Sequence, residues 1–400
     1  MKILLLGHGV SNDGIKNYLD NYNIYYDYLN KEEVFDKYDI VVKSPGIPLD
    51  DKVFDVCGKN VISDIELVNM FDNRDMIAIT GTNGKTTTTL LINEFLSKQR
   101  ECAVCGNIGY PIGLCAMDEF DIFICETSSF QLEGCKNFKP KVAVLLNINP
   151  HHLDHHKSFK AYIEAKEKIC MKQDENDYLI YNFDNVYCKE IAKKSKAKKI
   201  SFSTKSMLTN CYIFANNIYL NNCKIMSLNK KKIDYNIENF MAACCAVSVY
   251  KFPLNRCKRI YKKFEKPLYR AQYLSNDIIN DAKSTNPFST IATLKTLSNV
   301  ILICGGLYRG ENMHVLTPYI STIKCVYAYG ETKNLIMNFF NEFNIKCYIF
   351  DDLKSASLSA LDEKKESTLL YSPMFASYDQ YKDYTQRGKE FSDIINYYLK

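Results

Sequence analysis

The stretch Ile77–Leu90, IAITGTNGKTTTTL, decides the fold class of this chain. The apolar run that ends at Thr80 is typical of a buried strand, and a helix is expected to begin near Thr86. The loop between them would place several backbone N–H groups and a helix N-terminus around one anion. The stretch therefore predicts a phosphate-binding loop in an α/β protein.

Two side chains of this stretch carry the expected chemistry. Lys85 adds a mobile positive charge, and Thr86 offers a hydroxyl to Mg²⁺. The generic P-loop has a longer spacing between its two glycines than Gly81 and Gly84 have, so the plain pattern does not match. The alternative, in which these glycines only make the turn into the helix, stays open at this point.

The composition is that of an ordinary folded protein. Of the 400 residues, 46% are hydrophobic and 24% charged, and the net charge of +5 is too small to indicate nucleic-acid binding. The 16 cysteines are scattered and follow no secretory signal, so we expect reduced thiols in the cytoplasm. We expect no membrane insertion, because no apolar run approaches the length of a membrane span.

The order of apolar runs predicts three α/β segments. The first carries KILLLG, IYYDYL and DIVVKSPGI; the second MIAIT, FDIFICE and VAVLLNI; the third VILICGG, CVYAYG and STLLYSP. Residues 212–229, YIFANNIYLNNCKIMSLN, alternate in polarity and contain Asn-Asn turns, which predicts a small antiparallel hairpin. We place the domain boundaries at 1–74, 75–266 and 267–400.

A second glycine-rich turn, GHGVSNDG, follows the first predicted strand. It has Gly7 and Gly9, but Asn12 stands where the dinucleotide fingerprint has its third glycine. An acidic residue, Asp27, ends the next strand. We expect a nucleotide-like ligand held without redox chemistry; a nicotinamide oxidoreductase is the alternative.

Three further side chains are candidates for metal chemistry. Glu126 ends the buried strand FDIFICE, and a carboxylate at the carboxyl end of a parallel strand beside a phosphate loop is a natural Mg²⁺ ligand. The stretch LLNINPHHLDHHKSFKAYIEAKEKI then repeats a strand, a loop with His152 and a helix with Lys166. The alternatives are a surface glutamate, an exposed helix lysine, and solvated or zinc-binding loop histidines.

A set of motifs in a fixed order resembles the Mur ligase family over nearly the whole chain. The motifs are GTNGKTT, GNIG, ETSSFQLE, NINPHHLDHH, AYIEAKEKI, NIENFMAA, PLYR, NDAKSTNP and SPMFASYDQYKDYTQRG. The resemblance implies three domains: a Rossmann-like N-terminal domain for a UDP-substrate, a central P-loop ATPase domain with a parallel sheet plus a small antiparallel sheet, and a Rossmann-like C-terminal domain for the amino acid and nucleotide.

The resemblance also implies roles for individual residues. Lys85 would bind phosphates, Thr86 and Glu126 one Mg²⁺, and His152 with a carbamylated Lys166 a second Mg²⁺. The ATP-binding residues implied are Gly81, Thr82, Asn83, Gly84, Lys85, Thr86, Thr87, Asn239, Arg270 and Asp281. Those for the UDP-substrate are Val10, Ser11, Asp27, Tyr28, Ser44, Asn107 and Ser128. Those for the amino acid are Lys283, Thr285, Arg309, Ser377, Tyr378 and Tyr384.

The chain departs from the family pattern at three places. His151 stands where an acidic residue is expected before His152, and Tyr235 stands where a histidine usually precedes Asn236. The pair Tyr308–Arg309 replaces an Asp-Lys pair. The last change bears on substrate recognition, because arginine offers a planar fork where lysine offers a point charge.

The implied reaction is ATP-driven amide formation through an acyl phosphate. The C-terminal stretch favours D-glutamate, added to UDP-N-acetylmuramoyl-L-alanine in cytoplasmic peptidoglycan precursor synthesis, by a monomer that binds no nucleic acid. A sister ligase for another amino acid or a folate polyglutamate ligase would keep the central motifs. A nucleotide-binding module without ligase activity would not need Glu126, His152 and Lys166 together.

Overall fold

The computed structural model describes residues 1–29, 38–47, 60–228, 236–265 and 267–399. The chain forms two compact units. The first unit comprises the described residues of 1–148, 158–230 and 236–264, and the second those of 149–157 and 265–400. Each unit is built on parallel sheet, as the sequence predicts.

The strands in chain order are β1 (Ile3–Leu6), β2 (Tyr26–Leu29), β3 (Ile40–Lys43), β4 (Val61–Ile62), β5 (Asp75–Thr80), β6 (Cys102–Gly106), β7 (Ile122–Glu126), β8 (Val142–Leu145), β9 (Tyr178–Asn182), β10 (Lys198–Ser203), β11 (Cys211–Phe214), β12 (Asn217–Leu220), β13 (Cys223–Ser227), β14 (Gln272–Ser275), β15 (Ile278–Asn280), β16 (Val300–Gly305), β17 (Ile323–Tyr329), β18 (Lys346–Phe350) and β19 (Thr368–Met374).

The helices in chain order are α1 (Val10–Asn21), α2 (Asp64–Phe71), α3 (Lys85–Leu96), α4 (Ile112–Cys115), α5 (Ser129–Glu133), α6 (Leu153–His156), α7 (Phe159–Glu167), α8 (Val186–Lys194), α9 (Ile237–Ser248), α10 (Leu254–Lys263), α11 (Pro287–Leu294), α12 (Lys333–Asn341), α13 (Leu353–Glu363) and α14 (Tyr384–Tyr398), with a 3₁₀ helix over Met313–Thr322. No helix within the described ranges is long and apolar enough to span a bilayer.

The first unit contains two sheets. The smaller has the parallel order β2-β1-β3-β4. The larger has the order β13-β12-β11-β10-β9-β8-β5-β7-β6 and is parallel from β6 to β11. Every residue of β1, β3, β7 and β8 is buried, which explains why these strands are continuous apolar runs rather than alternating ones.

The predicted antiparallel hairpin is present as β11-β12-β13 at one edge of the larger sheet. Ala215 and Asn216 have φ of 46° and 58° at the first turn, and Asn221 and Asn222 have 48° and 64° at the second. Left-handed residues at both central positions match the right-handed twist of the flanking strands. The Asn-Asn turn prediction is therefore confirmed at the second turn, whereas Ala215 and Asn216 form the first and Asn217 begins β12.

Asn12 closes the first glycine-rich turn. Its buried Nδ2 donates hydrogen bonds to the carbonyl oxygens of Leu6 (2.9 Å) and Gly7 (2.8 Å). A side-chain amide thus stands where the dinucleotide fingerprint has a glycine, and it ties α1 to the end of β1. The turn keeps its shape without the third glycine.

Buried polar contacts join the two sheets of the first unit. The Lys43 side chain is fully buried and its Nζ lies 2.9 Å from Glu133 Oε1. Gln131 Nε2 donates to both carboxylate oxygens of Asp64 at 3.2 and 3.1 Å. Glu66 accepts two backbone N–H groups from the loop after α5, each at 2.6 Å. These contacts explain why the first two predicted segments form one compact unit.

The second unit contains a sheet of order β14-β15-β19-β16-β17-β18. Only β14 pairs antiparallel within it, and the other pairs are parallel. The three apolar runs predicted for the third segment are β16, β17 and β19. The α/β fold class is confirmed, while the boundaries at residues 74 and 266 stay predictions, and Lys266 lies outside the described residues.

Candidate active site

The phosphate loop runs from the end of β5 at Thr80 to the first residue of α3, Lys85. Gly84 has a φ of 87°, and a Cβ there would lie 2.3 Å from Asn239 Oδ1. A Cβ on Gly81 would lie 2.9 Å from the Cβ of Leu146. Both glycines are therefore required, one by backbone angle and both by close approach.

Asn147 braces this loop and was not predicted as a site residue. Its Oδ1 accepts from Asn83 N (2.9 Å), its Nδ2 donates to Asn83 O (3.0 Å), and its carbonyl accepts from Thr82 N (2.8 Å). The available signal was its position as the first residue after the apolar stretch of β8, in NINPHH. The loop shape is thus set by a strand-end amide far along the chain.

Two lysine amines converge on one carbonyl of the loop. Lys85 Nζ donates to Gly81 O at 2.8 Å and to Thr82 O at 3.2 Å. Lys166 Nζ donates to Gly81 O at 3.1 Å and to Thr80 Oγ1 at 3.2 Å. Burial, followed by repulsion from Lys85, holds the pKa of Lys166 well below its ordinary value. The Lys166 ammonium therefore loses its proton more readily than an exposed lysine does.

Tyr162 connects α7 to the phosphate loop and was also missed. Its hydroxyl lies 3.1 Å from Thr82 Oγ1, and the Lys166 amine lies 4.8 Å from its ring centroid. The side chain is almost fully buried, and burial raises the pKa of its hydroxyl. The spacing of Tyr162 and Lys166 by one helical turn places both on the face of α7 that meets the loop.

Glu126 has one satisfied and one orphaned carboxylate oxygen. The side chain is buried at the carboxyl end of β7, and its Oε1 accepts from Asn107 Nδ2 at 2.9 Å. No partner of Oε2 exists among the residues that the structure describes. A buried carboxylate oxygen without a donor is suited to bind a cation. Thr86, in the first turn of α3, belongs to the same unit and offers a hydroxyl to that cation.

A cavity of about 350 Å³ in the first unit gathers four of the residues predicted for the UDP-substrate. Its lining consists of Val10, Ser11, Ser44, Pro45, Gly46, Gly106, Asn107, Gly109, Pro111 and Gln131. The predicted four are Val10, Ser11, Ser44 and Asn107. Because Asn107 also binds Glu126, the cavity adjoins the candidate metal carboxylate.

The other three residues predicted for the UDP-substrate do not line this cavity. Asp27 accepts hydrogen bonds from the hydroxyls of Tyr25 (2.9 Å) and Tyr38. The Tyr28 hydroxyl donates to Asp13 Oδ1 at 3.0 Å.

Ser128, the last of the three, caps α5, and its Oγ accepts from Gln131 N at 3.2 Å. It holds the helix turn that presents Gln131, a cavity residue that sequence reasoning missed.

His152 belongs to the second unit, whereas Thr86, Glu126 and Lys166 belong to the first. It is the residue before α6 and has a left-handed φ of 56°. The ring of His151 lies 3.8 Å from that of His152, centroid to centroid. The second metal site stays a prediction, and Tyr235, one of the family departures, lies outside the described residues.

Asp281 is enclosed in the second unit. Its carboxylate accepts from Ala271 N (3.0 Å), Ser284 Oγ (2.6 Å) and Ser372 Oγ (3.0 Å). Burial raises its pKa, and the charge of Arg270 opposes that shift. Asp281 therefore holds the backbone beside Arg270.

Arg270 itself lies between two left-handed residues, Tyr269 (φ 59°) and Ala271 (φ 44°). Its Nη1 lies 3.5 Å from Ser284 Oγ. Such backbone angles are uncommon for residues with a Cβ, so the surrounding structure must hold this turn in place.

Four of the six residues predicted for the amino acid form two pairs. Lys283 Nζ lies 5.2 Å from the ring centroid of Tyr384, and the Arg309 guanidinium lies 5.1 Å from that of Tyr378. Arg309 Nε is also 3.8 Å from Asp154 Oδ2. The guanidinium that replaces the lysine of the family pattern therefore lies over an aromatic ring.

The last two residues predicted for the amino acid differ in exposure. Ser377 is buried and its carbonyl accepts from Tyr381 N at 2.9 Å, whereas Thr285 is half-buried.

Glu311, which was not predicted, accepts from Arg309 N at 2.6 Å. Burial raises the pKa of the Glu311 carboxyl to about 7, so it is partly protonated at neutral pH.

The chain is similar in sequence to several known proteins. Residues 79–247 match the Mur ligase middle domain. A relative from Clostridioides difficile strain 630, named UDP-N-acetylmuramoylalanine--D-glutamate ligase, is 36% identical over 91% of this chain and 85% of its own. A relative of the same name from Rickettsia bellii strain RML369-C is 35% identical over 90% of this chain and 84% of its own.

Among solved structures, a pseudomurein peptide ligase type C from Methanothermus fervidus matches with a TM-score of 0.65 at 16% identity, covering 100% of both chains. At that identity the match supports the fold alone. The resemblance found in the sequence is confirmed by the curated relatives, which match nearly the full chain at more than a third identity. The chain belongs to the Mur ligase family.

Proposed function

We propose that the chain joins D-glutamate to UDP-N-acetylmuramoyl-L-alanine with hydrolysis of ATP to ADP and phosphate, in the cytoplasmic synthesis of peptidoglycan precursors. The observation that carries this proposal is the 36% identity over 91% of the chain to a relative named for that ligase. The phosphate loop, the carboxylate of Glu126 and the adjoining cavity supply the parts that such a reaction needs.

The reaction begins by making a carboxylate electrophilic. An oxygen of the alanyl carboxylate attacks the γ-phosphorus of ATP, the bond to the bridging oxygen breaks, and ADP leaves. The D-glutamate amine then attacks the acyl carbon, loses a proton to solvent and expels phosphate. Negative charge gathers on oxygens in both steps, so positioned cations supply most of the catalysis.

Lys85 has the first of these tasks. Its amine is held at the mouth of the loop by two backbone carbonyls, Gly81 O and Thr82 O. A phosphate oxygen is a stronger acceptor than either carbonyl, so the amine turns to the transferred phosphoryl group when ATP binds. The N–H groups at the start of α3 face the same anion.

Mg²⁺ is the cofactor implied by the family. Glu126, with its orphaned Oε2, and Thr86 fit one ion, which would neutralise phosphate charge. A second ion would take His152 and a carbamylated Lys166.

The carbamate has its own physical support. Only about one exposed lysine amine in a thousand is neutral near pH 7.4, because its pKa is near 10.4. Burial and the nearby Lys85 charge disfavour the Lys166 ammonium, so a larger fraction is neutral and able to attack CO₂. The N–C bond forms, one proton leaves to solvent, and the resulting anion gains attraction to Lys85.

The residues proposed to bind D-glutamate belong to the second unit. Lys283, Arg309 and Ser377 offer charge and hydrogen bonds to the two carboxylates of D-glutamate, and Arg309 can pair one of them through two parallel bonds. We propose a monomer, because each step needs only residues of one chain.

One assay tests the proposal. Phosphate release from ATP is measured with UDP-N-acetylmuramoyl-L-alanine and each of a panel of D- and L-amino acids, with Lys85→Ala as the inactive control. D-glutamate should stimulate release well above every other amino acid. Stimulation by a different amino acid would indicate a sister ligase, and no stimulation at all would remove the substrate assignment.

A further inference from the structure

Arg387, in the first turn of α14, is the largest fully buried side chain of the described chain. Its exposed fraction is 0%, and no carboxylate lies within ion-pair distance of it among the described residues. An unpaired buried charge is costly, so a fold that keeps one draws some benefit from it.

One nitrogen of Arg387 bridges two loops. Nη2 donates to Ala282 O at 3.1 Å and to Phe375 O at 2.9 Å. Ala282 directly precedes Lys283, and Phe375 lies two residues before Ser377. The guanidinium therefore fixes the backbone at the root of two loops that carry residues predicted for the amino acid, the loop of Lys283 and the loop of Ser377.

The second of these loops begins with strained backbone. Met374 ends β19 with a φ of 66°, which is rare for a bulky residue. Its N–H donates to Ser284 O at 3.0 Å, which again joins the two loops. The bond from Arg387 to Phe375 O acts on the next residue and holds the strained turn in place.

Gly388, the residue after Arg387, makes further contacts with the segments around these two loops. Gly388 O accepts from Asn280 Nδ2 at 2.7 Å, and a Cβ on Gly388 would lie 2.6 Å from the Tyr269 ring. Tyr269 O in turn accepts from Lys283 N at 3.0 Å. The start of α14 thus contacts three segments at once, and the Tyr384 ring of the same helix lies 5.2 Å from the Lys283 amine.

Two donors of the guanidinium are left over. Nε and Nη1 of Arg387 have no partner among the described residues, and neither has Oδ1 of Asp379, an acid whose pKa burial raises and the Arg387 charge lowers. Asp379 Oδ2 accepts from Glu331 N at 3.3 Å. Within the described part of the chain, Arg387 is thus bound through the two loop carbonyls alone, which indicates that it fixes loop geometry rather than pairing a charge.

We infer that Arg387 is a positioning residue for the amino-acid substrate: it sets the spacing between the loop of Lys283 and the loop of Ser377. This rests on the proposed function, since those residues are assigned to D-glutamate there. A displacement of about 1 Å in either loop is enough to weaken substrate placement strongly. Arg387 reaches no ligand itself.

Steady-state kinetics of Arg387→Met, which fills similar volume without donors, tests the inference. We expect the KM for D-glutamate to rise at least about tenfold, while the KM for ATP stays within about threefold of wild type. Arg387→Lys keeps one donor nitrogen and should recover part of the loss. Phe391→Leu, one turn along α14 and fully buried, is the control for general destabilisation.

Each outcome decides one question. Equal KM values for D-glutamate in Arg387→Met and Phe391→Leu, at equal loss of Tm, would reduce Arg387 to a stability role and overturn the inference. If Arg387→Met does not fold, an unchanged KM for D-glutamate in Arg387→Lys overturns it and a threefold or greater rise supports it. A wild-type enzyme that does not use D-glutamate would instead refute the proposed function.

Discussion

Two buried lysines of the first unit, Lys43 and Lys166, have opposite surroundings. The Lys43 amine has a carboxylate partner, Glu133, at 2.9 Å and also donates to Ile47 O (2.9 Å) and Phe130 O (3.3 Å). The Lys166 amine contacts a hydroxyl, a carbonyl oxygen and the face of an aromatic ring, and the charge of a second lysine, Lys85, acts on it.

The difference between the surroundings of Lys43 and Lys166 distinguishes a structural lysine from a chemically reactive one. A buried ammonium with a carboxylate and two carbonyls is satisfied as a cation and holds two elements together. A buried amine repelled by a like charge is poised to lose its proton, as groups at reactive sites often are. Burial alone therefore does not identify a functional lysine; the charge of its neighbours does.

The largest expected effect comes from Lys166→Ala. Ligation should fall by about a thousandfold or more, equivalent to about 4 kcal/mol of transition-state stabilisation, because the proposed metal ligand is lost. Acetate or propionate added to the buffer should restore part of the rate, and removal of CO₂ should slow the wild type.

The control for this prediction is Lys160→Ala, an exposed lysine of the same helix. It should leave the rate unchanged. A ligand-bound structure with two Mg²⁺ ions beside an unmodified Lys166 ammonium would contradict the carbamate. The comparison with Lys43 would then no longer distinguish a reactive lysine from a structural one.

The next effect concerns Lys43. Lys43→Met should lower the free energy of unfolding by about 3–5 kcal/mol, because the buried Glu133 carboxylate loses the ammonium that lies 2.9 Å from it. The double variant Lys43→Met with Glu133→Leu should recover much of that loss. Urea denaturation measures both, and a single variant as stable as wild type would show that the pair adds nothing.

A smaller effect is expected at Tyr162. Tyr162→Phe removes the hydroxyl that lies 3.1 Å from Thr82 while keeping the ring under Lys166. The rate should fall by about tenfold, or about 1.4 kcal/mol, through looser positioning of the phosphate loop. The loss should appear in kcat/KM for ATP; a loss confined to the D-glutamate KM would place the effect elsewhere.

The smallest effect is expected for Arg309→Lys. Lysine keeps the charge but lacks the planar fork that lies over the Tyr378 ring and can bind a carboxylate through two hydrogen bonds, so the KM of one substrate should change by about threefold. Initial rates with each substrate varied in turn measure this. If Arg309→Ala matches wild type with every substrate, the loop does not bind ligand.

Much of the fold could be predicted from the sequence because its signals are local. A continuous apolar run shows a buried parallel strand, and paired asparagines show a hairpin turn, without knowledge of any partner. The phosphate loop is equally local, since β5, the loop and α3 are consecutive and their hydrogen bonds follow from backbone geometry.

Three of the residues that the sequence did not reveal act across long separations. Asn147 binds Asn83 over 64 residues, Tyr162 binds Thr82 over 80, and Arg387 binds Ala282 over 105. No spacing rule connects such pairs, because their distance in space is decided by how strands and helices pack. An asparagine at a strand end or an arginine in a first helical turn has no local mark of its partner.

The sequence by itself determined the α/β class and the family, because the period of the apolar residues and the order of the motifs can be read without coordinates. Only the tertiary structure decided which polar atoms are satisfied. Four protein groups donate hydrogen bonds to the Asp281 carboxylate, and two amines donate to the Gly81 carbonyl. Glu126 Oε2 and two nitrogens of Arg387 have no partner among the residues that the structure describes. Those states depend on burial and on neighbours distant in the chain, and it is these states that set a group's charge and reactivity.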